Sequence, residues 1–320
     1  MKAFTISSND AGQRVDRFLS KACPRLPQGL MYKYIRKKRV KLNAKRCEIS
    51  TILTAGDLME LYISDELLEF EPQTDFHFVK GELDIIYEDD NLLLINKPIG
   101  LVVHEDNENT VDTLINRIKR YLSDKGEWDP NKESSFAPAL CNRLDRNTGG
   151  IVIAAKTASA LRILNQKIKD REIKKLYLCV LSGKLDKKSA TLTAYIEKDS
   201  TQNLVRVSST KTRNNLSAIT RYLVIDENEK TSLVEVDLIT GRTHQIRAHF
   251  AYIGHPLLGD GKYGNNRINK LYSYKTQALF AYRLTFEFTT FAGELFYLKG
   301  KSFEVKDVWL RDKYYADKLE

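Results

Sequence analysis

The chain has 320 residues, 42% of them apolar, enough for one large domain or two unequal ones with a sizeable core. It holds no run of about 18 apolar residues that would span a membrane, and its short polar start, Met1 to Asp10, lacks a secretory-signal pattern. The net charge of +9 favours a polyanionic partner, while Cys23, Cys47, Cys141, Cys179 and five scattered histidines show no metal-ligand spacing and read as the packed, reduced side chains of a cytoplasmic protein.

In chain order, Val15, Phe18, Leu19 and Ala22 recur at helical spacing and predict a short amphipathic helix over Arg14 to Cys23. A second helix is expected from Gln28 to Lys37, then a strand at Val40 to Leu42, a turn at Asn43-Ala44 and a strand at Leu58 to Ile63. From Arg17 to Cys47 no acidic residue occurs, whereas Lys33, Arg36, Lys37, Lys38, Arg39, Lys41 and Lys45 all fall there. Charge of one sign over so long a stretch predicts a face that tracks phosphates. Leu67 to Gly81, with Pro72 and no periodicity, reads as a linker.

A larger unit follows. Leu92 to Asn96 predicts a buried strand ended by Lys97-Pro98 and Gly100, and Val111, Leu114, Ile115, Ile118 and Leu122 predict a helix. Ser123 to Ser135 reads as a surface loop. Ile151 to Ala155 and Leu176 to Leu181 read as strands, with a helix between them marked by Ala160, Leu161, Leu164 and Ile168. Val234, Val236 and Leu238 alternate with Glu235 and Asp237, which predicts a half-buried strand. A helix is expected from Thr243 to Ile253, stopped by Gly254, with Thr243 and Arg247 on one face. Strands outnumber helices and do not alternate strictly with them, so the expected class is α+β with a mixed, largely antiparallel sheet flanked by helices.

Three segments carry candidate chemistry. Asn142-Arg143-Leu144-Asp145-Arg146-Asn147-Thr148-Gly149-Gly150 sets a carboxylate between two arginines just before a buried strand. The flanking cations favour the ionised aspartate, and the glycines permit a close approach; a surface loop with local ion pairs fits the same residues. Leu238 to His249 runs from a strand through Gly241 and Arg242 into a helix, and Gly254 to Gly264 reads as an ordered loop. His249 and His255 are expected to be structural.

These segments together resemble the RluA family of pseudouridine synthases. NRLDRNTGG matches the family's catalytic motif, LDIIYEDDNLLLINKPIGLVVH (Leu83 to His104) its opening strand and Lys-Pro turn, and KKLYLCVLSG (Lys174 to Gly183) its tyrosine segment. ITGRTHQIRAHFAYIGHPLLGD (Ile239 to Asp260) matches its third motif. The N-terminal stretches RVDRFLSKA, YIRKKRVKLNAKRCEIS and AGDLMELYI resemble an S4 RNA-binding domain. The resemblance implies an S4-like domain at 1–66, a linker at 67–82 and a catalytic domain at 83–320. It implies that Asp145, Tyr177 and Arg247 are catalytic, that Arg247 forks onto Asp145, and that Leu144 and Ile246 wall the pocket. Arg143, Arg242 and the basic stretch would contact RNA.

The activity implied is isomerisation of uridine to pseudouridine in RNA, without cofactor or metal. Large-subunit ribosomal RNA is the first expected substrate and tRNA the second, with no membrane or small-molecule partner. Whether Asp145 acts as nucleophile or base stays open. Asn142 stands where the family commonly has histidine. A non-catalytic S4-type RNA-binding protein is one alternative. A hydrolytic glycosidase is another, but it needs a second carboxylate, and the matched motifs offer none.

Overall fold

The computed structural model describes residues 1–68, 75–105, 110–199 and 204–319. The middle of the predicted linker, 69–74, lies outside the described residues. Two units, each with its own core, make up the chain.

The first unit holds β1 (Lys2–Thr5), α1 (Val15–Ala22), α2 (Gln28–Arg36), β2 (Val40–Leu42), β3 (Lys45–Arg46) and β4 (Leu58–Leu61). Its strands form a four-stranded antiparallel sheet in the order β1-β4-β2-β3. The apolar stripe of α1, Val15, Phe18, Leu19 and Ala22, packs with Met31 and Ile35 of α2 against Val40, Met59 and Leu61. Lys33, Arg36, Lys37, Lys38, Arg39 and Lys45 are all exposed. Lys41 lies over the ring of Tyr62 at 4.9 Å, and Arg39 over Tyr34 at 5.7 Å.

The second unit comprises β5 (Ile85–Glu88), β6 (Leu92–Lys97), α3 (Leu114–Asp124), β7 (Ala139–Leu140), β8 (Gly149–Ala155), α4 (Ala158–Lys169), β9 (Ile173–Ser182), β10 (Ser189–Asp199), β11 (Leu204–Ser208), β12 (Leu216–Glu227), β13 (Thr231–Leu238), α5 (Gln245–Tyr252), α6 (Asn266–Leu271), β14 (Leu279–Phe286), β15 (Ser302–Glu304) and α7 (Trp309–Leu319). An 11-stranded sheet runs β11-β10-β12-β13-β9-β14-β8-β6-β5, with β15 beside β14 and β7 beside β8. The class is therefore α+β, on a mixed sheet whose pairings are antiparallel except for β14 with β8. At that parallel junction Gly150 stands at φ +111°, and a Cβ there would meet the Ala281 carbonyl oxygen at 2.1 Å. Only glycine permits that contact. No helix among the described residues is long and apolar enough to cross a membrane.

Four expectations are corrected. Val111 is not helical: the Thr113 hydroxyl accepts from the Asn116 N–H and starts α3 after it. The predicted 123–135 surface loop begins inside α3 and carries the buried Trp128. The β13 strand is not half-buried, because layers cover both sheet faces: Leu233 packs on one side and Val234 and Val236 on the other, and Glu235 accepts a hydrogen bond from the Tyr282 hydroxyl. Thr243 is not in α5 and shares no helix face with Arg247, since His244 between them is left-handed at φ 51°.

The units meet through a polar clasp. The Asn9 amide donates to Glu133 at 2.9 Å, and its oxygen accepts from the Ala158 N–H at the start of α4 at 3.1 Å. Gln13 donates to the Ser135 hydroxyl at 2.8 Å, which in turn donates to the buried Asp10 at 2.6 Å.

Candidate active site

Asp145 sits in the loop between β7 and β8, and side-chain bonds to backbone groups fix that loop from both sides. The Asn142 side-chain oxygen accepts from the Ile153 N–H at 2.8 Å, tying the loop to β8. Lys97, at the end of β6 and fully buried, donates to the carbonyls of Leu101 at 2.7 Å, Pro98 at 2.9 Å and Arg146 at 3.0 Å. Burial pulls its pKa down to about 8, against the attraction of Asp145. The Lys-Pro turn is thus bolted to the residue after Asp145.

The Asp145 carboxylate opens into a cavity of about 470 Å³, in the range of small-molecule sites. Arg247 on α5 donates from Nη1 to Asp145 Oδ2 at 2.7 Å. The fork expected on Asp145 goes elsewhere. Nε and Nη2 of Arg247 pair with Asp260 Oδ2 and Oδ1 at 2.7 and 2.9 Å. Asp260 is fully buried and also accepts from the N–H groups of Lys262 at 2.9 Å and Tyr263 at 3.1 Å. Burial opposes the Arg247 charge, but Asp260 and Asp145 outweigh it and hold its pKa above the usual range. Burial likewise opposes ionised Asp260, and Arg247 outweighs it, so that carboxyl stays below its ordinary value.

Asp260 is thus a second carboxylate in the matched motifs, where none was expected. Both its oxygens are committed to Arg247 and the backbone, so it cannot face a sugar as a hydrolytic pair requires. The sequence signal for it was the Gly259-Asp260 turn already read as ordered.

His244 was also missed. Its Nε2 lies 3.8 Å from Asp145 Oδ2, and its Nδ1 is 2.9 Å from the Tyr263 hydroxyl. Burial lowers its pKa to about 4, so at neutral pH the ring is uncharged. The Tyr263 ring lies beneath the Arg247 guanidinium at 5.3 Å. Nothing in the sequence marks a left-handed histidine here.

Tyr177 on β9 lines the cavity with Leu144 and Ile246, all three largely buried. Burial first and Asp145 second push the Tyr177 hydroxyl well above its ordinary pKa. Arg143 and Arg242 are exposed on the cavity's rim, and Arg242 Nε donates to the Ser217 carbonyl at 3.1 Å. Asp145, Tyr177, Arg247, Leu144, Ile246, Arg143 and Arg242 therefore converge on one cavity, whereas Lys33 to Lys45 sit on the other unit and do not line it. His249 bonds Thr220 and His255 the Ser182 carbonyl, both away from Asp145.

Comparison with known proteins bears on the same region. The RNA pseudouridylate synthase family matches residues 91–252, which span β6 to α5 and include Asp145, Tyr177 and Arg247. The chain belongs to the RNA pseudouridylate synthase family. It is accordingly an RNA-modifying isomerase, in agreement with the RluA-family resemblance of its motifs. It is 32% identical over 269 residues to a protein of Vibrio parahaemolyticus named ribosomal large subunit pseudouridine synthase C, covering 82% of this chain and 80% of that one. It is 31% identical over 314 residues to a Mycoplasma capricolum protein described as an uncharacterized RNA pseudouridine synthase, covering 97% and 99%. Human RNA pseudouridylate synthase domain containing 4 shares the fold, with a TM-score of 0.57 at 20% identity over 73% of this chain and 92% of that one.

Proposed function

We propose that the protein converts specific uridines of large-subunit ribosomal RNA to pseudouridine in the cytoplasm, with Asp145 as the essential carboxylate. The observation that carries this is an aspartate side chain held by Arg247 at the wall of a nucleotide-sized cavity. Relatives named for the large ribosomal subunit supply the RNA class. tRNA is the alternative substrate.

The target uridine leaves its stack, at a few kcal/mol, to enter the cavity. Arg143 on the rim fills the gap, and Tyr177 stacks on the uracil. The bond from C1′ to N1 breaks, the base turns, and C5 bonds to C1′. The C5 proton leaves and N1 gains one, so the reaction has no redox change and consumes no cofactor. Asp145 acts at the sugar as nucleophile or base, Arg247 orients it, and Leu144 and Ile246 shut out water. Arg242 meets RNA phosphate.

Residues 1–66 form an S4-like RNA-binding domain, joined through 67–82 to a catalytic domain at 83–320. The exposed Lys33, Arg36, Lys37, Lys38, Arg39 and Lys45, with the half-buried Lys41, support that reading. The test maps pseudouridines in total RNA from cells with and without the gene. Sites in 23S-type RNA should vanish in the deletion and return with wild type but not with Asp145→Asn; return with the variant would remove Asp145 from the mechanism.

A further inference from the structure

On the same wall as Tyr177 the cavity holds a cation that nothing among the described residues answers. Lys175 precedes Tyr177 by two residues on β9, so both point to one face of the sheet, the face that Cys179 and Leu181 continue into the core. Lys175 lines the cavity and is partly buried. Among the described residues no hydrogen bond or ion pair reaches its Nζ. Burial alone lowers its pKa, with no neighbouring charge entering. A buried ammonium without a partner is costly, and such groups are ordinarily paired. Lys97 and Lys167 follow that rule here, the first capped by carbonyls and the second by Glu172.

The surroundings point to the kind of anion that Lys175 would take. Lys169 and Arg171, at the junction of α4 and β9, line the same wall, and Arg171 is left-handed at φ 63°. A shallower cavity continues past Lys175 and Arg171 to Lys174, and beyond them Arg221 is paired with Asp237 at 3.4 Å, with Glu287 on the same lining. Lys169, Arg171, Lys174 and Lys175, clustered where the nucleotide-sized pocket opens, fit the backbone of one RNA strand.

We propose that Lys175 binds the phosphodiester next to the flipped uridine, with Arg171 holding the following one as the strand leaves the cavity. This rests on the reading of the cavity as a uridine site, and it makes Lys175 a substrate-positioning residue whose counter-ion arrives with the RNA.

The test uses the full chain and a stem-loop RNA carrying the mapped uridine, made with one uncharged methylphosphonate at the linkage 5′ or 3′ of it. With wild type, one of these linkages should raise KM about tenfold or more. Lys175→Met should show that loss on unmodified RNA and lose nothing further when the linkage is neutralised. It should also melt no lower than wild type, since it removes an unpaired buried charge; a lysine serving only the fold would lower the melting temperature. Lys175→Arg should restore most of the affinity. A Lys175→Met chain with KM within about twofold of wild type, or one still penalised in full by the methylphosphonate, would overturn the proposal. If wild type forms no pseudouridine in any RNA, the uridine-site reading fails by itself. The same cycle, read as affinity for a short oligouridylate, then decides Lys175 separately.

Discussion

Arg247 spends three hydrogen bonds on two carboxylates, and the division sets what each substitution should do. Asp260 takes the planar fork, which lysine cannot reproduce. Arg247→Lys should therefore loosen the Asp260 anchor and keep a charge near Asp145, retaining partial turnover, whereas Arg247→Met should retain far less. Asp260→Asn leaves Arg247 under-compensated and should lower unfolding free energy by about 3–5 kcal/mol in urea titrations, with kcat falling in the surviving folded enzyme. An Asp260→Asn chain as stable and active as wild type would mean that the anchor is dispensable. Two histidines add a pH dependence: burial lowers both His244 and His249 to about 4. Between that value and the ordinary 6.5 the unfolded chain binds more protons than the native one, so stability rises with pH across this window and is lost as pH falls through it. Melting temperature should drop from pH 6.5 to 4, and less steeply in His249→Gln; equal slopes would rule His249 out as a source. At this scale the motifs made Asp145, Tyr177 and Arg247 legible, because each sits in a contiguous, ordered stretch. The Asp260 partnership and the backbone of His244 were not legible, since both depend on contacts made only after the loops have folded.

Among elements, β8 carries the heaviest constraint. It is wholly buried, and Gly149 and Gly150 lie where it meets β14. Gly150→Ala must place a methyl against the Ala281 carbonyl and should cost about 4 kcal/mol or more, if the chain folds at all. Gly29→Ala, in α2 with nothing within 4 Å, is the contrasting case and should stabilise by about 0.5–1 kcal/mol. Thermal unfolding of the two variants should move in opposite directions. Removing the Thr113 cap as Thr113→Ala should cost about 1 kcal/mol by the same measurement. Periodicity located α1 to α5 and the strands β2, β4, β6, β8, β9 and β13, but not β10, β11, β12 and β14 of the same sheet, nor α6 and α7. It ran α3 back to Val111 because apolar spacing continues past the capping hydroxyl, and it missed that β13 is covered on both faces because that depends on its neighbours in the sheet.

For the whole molecule, the sheet order was beyond the sequence: β8 and β14 pair in parallel across more than a hundred residues, and no local pattern encodes that. The basic stretch and the unpatterned segment after it suggested a division of the chain, but they gave no sign of the clasp, because its polar side chains look like ordinary surface. On the proposal that the first unit binds RNA, deleting residues 1–68 should weaken binding to structured RNA and flatten the dependence of affinity on salt, as phosphate contacts are lost. An unchanged salt slope would make the basic stretch an idle surface. Asn9→Ala with Gln13→Ala leaves every cation in place and removes three of the bonds that join the units. Should that pair of changes leave single-uridine choice intact, the clasp has no part in selection. Its consequence otherwise is one of measurement. A clasp that fixes the basic unit against the unit bearing Asp145 turns the chain into a pair of callipers, and an RNA would then be chosen by the span between a helical stem and a displaced base, with the identity of the intervening letters counting for less.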